Sequence, residues 1–516
     1  MSEKSIGLCS ECGDRVPAEY RFPEGQVWLR KSCSQCGMTE AMVSSDAAGW
    51  HAKRELWEGV PNQSACSLNC DRCQTSHSPA ILFMDVTNHC NMDCPICGFS
   101  LRGMGFDFNP PLEYFEKVFA AVAEMRPRPM VNLFGGEPTV RDDMFDIIAL
   151  GRKCGVDTQI TTNGLRLADE DYCRKICEAG VGLRLSFDGR HREIYERLRN
   201  DGRVFDKKMK ALENLKKYSR RKHTIIACAA TGINDQYIGD LIQFCHENRE
   251  LVSDLGIIPL YESWEPGIFE VAERTTAADV ENMIRAAVPG GGVEFIPAGM
   301  TYWMKVMRPF FRNGPTSGFL FFAGVHPNCE SATFLIPNGE SYTGINHYLN
   351  KPLQQAAKEF ADRVKKIQPK LARLDPKKPL ERLRGKLLCV ATLAPWMIGT
   401  INMRRVFGDN LLTGPIKTAW RLWKRRRLKR LTKRPSPVTY LRLAVLPFEE
   451  QHSVDSERLK NCKAGMPYED IETGRIEIIP HCLWFPYRNA LLRKIAEKYG
   501  SVRHPKIVSL SAKKAA

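Results

Sequence analysis

The sequence predicts an α/β protein: a partial (β/α)6 barrel behind an N-terminal rubredoxin-like or zinc-ribbon knuckle domain, with an α-rich basic C-terminal extension. Three observations predict it. Residues 80–262 alternate strand-like and helix-like runs. Two C-x2-C pairs lie within the first 45 residues. The positive charge is concentrated late in the chain, where residues 377–434 hold 17 Lys/Arg against Glu381 and Asp409, most of the overall +16.

At 516 residues the chain exceeds one compact core. Its composition divides it into 1–45, 46–79, 80–290, 291–376, 377–440 and 441–516. Nineteen cysteines, grouped by short spacings, point to metal thiolates in a reducing compartment and not to a disulfide scaffold. Met1-Ser-Glu-Lys-Ser-Ile-Gly-Leu-Cys has no signal-peptide apolar core, and no apolar run reaches membrane-spanning length. The expected location is therefore cytoplasmic.

Cys9, Cys12, Cys33 and Cys36 form two knuckles, each followed by glycine, which permits the left-handed turn that aims amides at sulfur. Four thiolates make a tetrahedral site for zinc or a single iron. Cys66, Cys70 and Cys73 then repeat a C-x3-C-x2-C pattern that recurs at Cys90, Cys94 and Cys97. Only the second triplet follows a strand, Ile81–Thr87. Three thiolates on a [4Fe–4S] cluster leave one iron open to a ligand. The first triplet reads as an auxiliary cluster completed by Cys329 of the loop His326-Pro-Asn-Cys329, or as a second zinc loop.

Strands are expected at Ile81–Thr87, Val131–Phe134, Thr158–Thr162, Gly182–Phe187, Thr224–Thr231 and Leu255–Leu260. The helix after the first has Leu112, Phe115, Val118, Phe119 and Val122 on one face. Functional residues of such barrels sit at the carboxyl ends of strands. There the sequence places Gly135-Gly136-Glu137-Pro138, then Asn163, Ser186 and Asp188. Glycines allow close backbone approach, and a carboxylate can receive an ammonium group. An Asp-Gly turn explains Asp188 equally well. Met300 to Phe311 reads as core, or else as the wall of an apolar substrate pocket.

Together these motifs resemble the radical SAM superfamily. The resemblance implies that Cys90, Cys94 and Cys97 hold a [4Fe–4S] cluster, whose open iron chelates S-adenosylmethionine and reductively releases a 5′-deoxyadenosyl radical. It also implies that Gly135, Gly136, Glu137 and Pro138 hold the methionine amino group, and that Asn163, Ser186 and Asp188 lie in the cofactor site. Ile96 stands where many members carry an aromatic. The arrangement of triplets, knuckles and the HPNC loop is similar to the tetraether or membrane-spanning lipid synthase group and related radical SAM methylases. That implies C–C coupling of lipid tails, or C-methylation of a pterin or other small molecule, with a reductant such as ferredoxin or flavodoxin.

Between Ile416 and Leu431, Trp420, Trp423, Arg427 and Leu431 recur at helical steps, with Trp/Leu on one side and Lys/Arg on the other. This is the pattern of a helix lying on an anionic membrane surface; a nucleic-acid-binding or merely solvated helix would share it. The membrane reading places the enzyme peripherally at the inner face, with a lipid substrate and no nucleic-acid partner. Cys462 and Cys482 are candidates for a further cluster, although two thiolates are too few by themselves. A non-catalytic iron–sulfur or zinc protein is the alternative of a different class.

Overall fold

The computed structural model describes residues 4–62, 66–70, 77–98, 104–262, 269–290, 292–311, 320–407, 440–450 and 452–501. The first sheet is antiparallel: β1 (Lys4–Leu8), β2 (Arg15–Arg21), β3 (Val27–Cys33) and β4 (Gly37–Ser44), in that order. Its small core of Tyr20, Val27, Leu29 and Trp50 is closed by α1 (Ala47–Leu56).

The second sheet carries β5 (Ile81–Thr87), β6 (Met130–Gly135), β7 (Thr158–Thr162), β8 (Gly182–Ser186), β9 (His223–Ala229) and β10 (Val252–Pro259), all parallel and in chain order. The helices between them are α2 (Leu112–Glu124), α3 (Met144–Lys153), α4 (Glu170–Ala179), the pair α5 (Arg192–Arg199) and α6 (Val204–Tyr218), and α7 (Ile238–Glu247), with α8 (Ala277–Ala287) after β10. Each expected strand is present within a few residues of its expected ends. In α2 the buried face is Tyr114, Phe115, Val118, Phe119 and Val122. Leu112, expected on that face, is exposed, because at the first helical position the turn that would cover it has not yet formed.

The sheet extends beyond six strands. After β11 (Ile296–Pro297) come β12 (Ser331–Asn338), β13 (Ser341–Gly344), β14 (Leu441–Val445), β15 (Ala464–Glu469) and β16 (Ile476–Pro480). β14 runs parallel beside β10, and β15 parallel beside β5. Strands from 441–516 thus flank the six-stranded core on both sides. Short α13 (Ser456–Leu459) lies between them; α14 (Trp484–Tyr499) is fixed to β5, where Asp85 accepts from Trp484 Nε1 at 2.8 Å and from Arg488 at 3.1 and 3.2 Å. Between β11 and β14 in the chain lie α9 (Tyr302–Phe311), α10 (Leu353–Leu371), α11 (Pro379–Thr400) and α12 (Met403–Phe407).

Helices α9, α10 and α11 share a separate core of Trp303, Met307, Phe310, Val364, Ile367 and Cys389. The apolar stretch from Met300 is therefore partly core, as its pattern predicts, although Met304 and Phe311 point outward. Gly385 sets the α9–α11 spacing: a Cβ there would stand 2.2 Å from the Phe310 ring. The Trp420–Leu431 segment and Cys73 lie outside the described residues.

Candidate active site and metal centres

At the N-terminal knuckles, one sulfur atom from each of Cys9, Cys12, Cys33 and Cys36 lies within 4.8 Å of the others. Cys12 Sγ and Cys33 Sγ are 3.8 Å apart, the edge expected of a tetrahedron of ~2.3 Å metal–sulfur bonds. Gly13 and Gly37 take φ of 77° and 88°, as the turns require, and the Cys36 amide points at Cys33 Sγ from 3.4 Å. Backbone amides hold the Cys9 thiol down to about 7, whereas the neighbouring Cys12 sulfur pushes Cys36 up to about 12. Four crowded thiols cannot all ionise without a cation among them, so the donor set fits zinc or one iron.

The main triplet hangs from the carboxyl end of β5. Asn88 fixes this exit by accepting from the Phe108 amide at 2.9 Å and donating to Phe106 O at 2.7 Å. The Met92 amide approaches Cys90 Sγ at 3.4 Å. The same arrangement recurs at Cys66, whose sulfur faces the Leu68 amide at 3.4 Å. Leu68 takes φ of 56°, left-handed for a branched side chain. Burial pushes the Cys90 and Cys94 thiols up, aided at Cys90 by the nearby Glu137 and opposed at Cys94 by Arg199. A cationic cluster would supply the charge those thiolates need. Among the described residues, the N-terminal four are the group that converges as one ion requires.

Gly135 and Gly136 serve the backbone of this loop. Gly136 N donates to Thr87 O, and Glu137 N to His89 O, both at 2.7 Å. A Cβ on Gly136 would sit 2.0 Å from His89 O, and Gly135 has φ of 122°. The expected close approach is therefore to the chain that carries Cys90. Glu137 is buried: Oε1 accepts from Thr139 N, Thr139 Oγ1 and Thr162 Oγ1 at 3.0, 2.6 and 2.7 Å, and Oε2 from Asn163 N at 2.6 Å. Pro138 opens the short helical turn that follows. Asn163 Nδ2 reaches Asn91 Oδ1 at 2.7 Å, so β5, β6 and β7 converge on the triplet.

Asp188 is more than a turn residue. It is buried, takes two hydrogen bonds from Arg199 at 2.9 Å and accepts from Cys228 N at 2.9 Å. Burial would raise its carboxyl, but Arg199 holds it below the usual range. Lys208, also buried, donates to Ser186 O at 2.6 Å and Asn163 O at 2.7 Å; burial lowers it to about 8. Ser186 thus enters through its carbonyl. Arg199 and Lys208, which belong to no recognisable motif, place two cations beside Cys94. Lys208 does leave a signal, because it interrupts the apolar stripe Val204, Ala211 and Leu215 of α6. Ile96 is buried with Cys228, Ala230 and Leu260, forming an aliphatic wall.

A third centre gathers Cys329, Cys462 and Cys482 around Glu449 and Arg458. Burial raises Cys462 and Cys482, and pushes Cys329 up to about 12. Among the described residues neither Glu449 oxygen has a hydrogen-bond donor; Arg458 Nε stands 3.0 Å away, off hydrogen-bond geometry. Asn62, just before the Cys66 triplet, accepts from Asn461 at 2.6 Å, so that segment starts beside Cys462. Cys66 and Cys70 pack against the main core.

Residues 84–245 match the radical SAM superfamily, so the chain carries a radical SAM domain, a class that implies a [4Fe–4S] cluster and S-adenosylmethionine. More particularly, residues 1–45 match the HMPTM N-terminal zinc ribbon domain. The chain is 30% identical over 272 residues to the 7,8-dihydro-6-hydroxymethylpterin dimethyltransferase of Methanocaldococcus jannaschii, covering 50% of this chain and 53% of that relative. The match thus spans about half of the relative's length. A probable GTP 3′,8-cyclase of Pyrococcus abyssi is 28% identical over 215 residues, 37% of this chain and 68% of that one. Streptococcus suis SuiB bound to S-adenosylmethionine shares 16% identity at a TM-score of 0.33, over 52% of this chain and 68% of that one.

Proposed function

We propose that this chain is a radical SAM enzyme that forms C–C bonds at unactivated sp3 carbons, and that its substrate is a lipid tail. The observation that carries the radical chemistry is the Cys90, Cys94 and Cys97 loop, clamped to the Gly135–Glu137 turn and flanked by Arg199 and Lys208. When bound there, a [4Fe–4S] cluster with S-adenosylmethionine supplies a hydrogen-abstracting adenosyl radical. The residues' task is to seat and shield it. The Thr87–His89 backbone and the buried Glu137 fix the loop, while Ile96, Leu260 and Ala230 keep water from one side. The Cys66 triplet, with a ligand from Cys329, Cys462 or Cys482, would hold an auxiliary cluster. Zinc or iron occupies the ribbon, and a ferredoxin- or flavodoxin-type donor delivers electrons.

The lipid reading is supported by the segment 377–434, whose one-sided charge suits an anionic bilayer. Coupling two tails removes one hydrogen atom from each, consumes two S-adenosylmethionine molecules and two electrons, and joins the two carbons. The product is two hydrogens lighter.

A second reading, C-methylation of a pterin, is favoured by the Methanocaldococcus relative and by the barrel interior. Thr161, Arg184, Thr224, Asp254 and Arg442 share one register layer, on the face opposite the helix-packed Leu183, Leu185 and Leu255. Arg442 pairs with Asp254 at 2.7 Å. So polar a layer suits a heterocycle.

The test is anaerobic reconstitution with dithionite and S-adenosylmethionine, followed by mass spectrometry of lipids and of added dihydropterin. We expect 5′-deoxyadenosine, abolished in Cys94→Ala, and lipids lighter by two hydrogens per new bond. Methylated pterin with unchanged lipids would refute coupling; no 5′-deoxyadenosine would refute both readings.

A further inference from the structure

Helix α11 has apolar residues on two opposite faces. One face, Gly385, Cys389 and Trp396, packs on α9 and α10, with Trp396 Nε1 donating to Ala356 O at 3.1 Å. The other turns away from the protein. Leu380, Leu383, Leu387, Val390, Met397 and Ile398 recur at helical steps along it and are exposed, Leu387 by 59% and Ile398 by 72%. At 1.5 Å per residue this ridge runs about 27 Å. A ridge of that size is unusual on a soluble surface and marks an interaction site.

Its flanks identify the occupant. Exposed Arg384 and Lys386 border the ridge on either side, and Lys377 and Lys378 precede it. Beyond it, α12 repeats the theme, with exposed Met403 and Val406 beside Arg404 and Arg405. The adjoining residues 408–439, outside the described set, hold ten Lys/Arg and one acid in sequence. A protein partner's helix would need acidic groups to answer so many cations, whereas an anionic bilayer answers them at every point and also takes the apolar ridge. Among the described residues no helix is long and apolar enough to cross a membrane. An apolar ridge edged by cations on such a helix suits the plane of an interface.

We propose that the outward face of α11 is a membrane-docking surface, its leucines entering the acyl boundary of an anionic bilayer and its arginines and lysines lying among the headgroups. This deepens the lipid reading and rests on it for its purpose, though not for its proof.

The test is flotation of the full-length, anaerobically purified protein with vesicles of phosphatidylcholine alone or mixed with phosphatidylglycerol, without S-adenosylmethionine or reductant. We expect flotation with the mixed vesicles, weakened by salt. The triple variant Leu383→Glu, Leu387→Glu, Ile398→Glu should lose roughly ten-fold or more of its vesicle affinity with helicity and melting unchanged. The corresponding triple alanine variant, which keeps helix propensity, should lose several-fold. Wild-type protein that stays unbound would overturn the proposal, as would glutamate variants that float as well as wild type. A wild-type dimer made monomeric by the glutamates, with flotation unaltered, would assign the ridge to a second copy instead. Protein that floats yet leaves lipids chemically unchanged in the reconstitution assay would sink the lipid-substrate reading and leave docking intact.

Discussion

Asp85 sits one strand residue before Val86 and five before Cys90, buried, and its charge is met by Arg488 from the far end of the chain. Removing one partner of a buried ion pair strands the other. Arg488→Ala is therefore expected to destabilise the protein by about 3–5 kcal/mol, whereas Asp85→Asn combined with Arg488→Leu should cost clearly less than Arg488→Ala alone. Denaturant unfolding of the two variants checks this; equal losses would show that the pair acts through packing alone. The Asp188–Arg199 pair follows the same logic beside Cys94. None of these partners was legible in sequence, because each pairing joins elements that only the folded sheet brings together. Glu137 was legible as a site residue from its glycines, but two of its four hydrogen bonds come from Thr162 and Asn163 at the end of the neighbouring β7.

At the scale of the element, the ribbon is held to the rest by Leu8, which joins the main core, and by a set of hydrogen bonds to the loop around Asp455. Tyr20 OH and Ser5 Oγ donate to Asp455 at 2.7 and 2.9 Å, and the Ile6 amide donates to Ser456 Oγ at 3.1 Å. Its own core is five buried residues, so a metal held by its four cysteines would supply much of its folding free energy. Cys12→Ser is expected to lose one metal ion per chain by elemental analysis, and to open residues 4–44 to protease. The cluster iron bound in the radical SAM domain should be retained. Loss of iron and of the ribbon together would show that the two units fold as one. The knuckles were readable from spacing because a site of four cysteines in two close pairs is local chemistry. The ribbon's seat on the loop before α13 was not, since a buried tyrosine and a distant aspartate share no pattern.

Across the whole molecule, buried imidazoles set an acid limit. Burial lowers His223 and His481 to about 4, and pulls His326 well below its usual value. An imidazole with a lowered folded pKa stays neutral in the native state while the unfolded chain takes up a proton. The stability it allows is complete above about pH 6.5 and is lost as pH falls toward 4, by about 3 kcal/mol for each of His223 and His481. Denaturant midpoints from pH 7 to 5 should fall accordingly. His481→Asn should flatten the slope; an unchanged slope would show that carboxylates, not histidines, govern acid loss.

Spacing and periodicity alone determined the βα series, the paired N-terminal cysteine knuckles and the position of the cysteine triplet, because each depends on residues within one turn, strand or helix face. Tertiary structure alone decided that strands from 441–516 complete the sheet, that Cys329 gathers with Cys462 and Cys482, that Arg199 and Lys208 border the triplet, and which face of α11 is left outside. Those outcomes depend on which surfaces meet across hundreds of residues. A helix apolar on both faces does not announce in sequence which one the core will take.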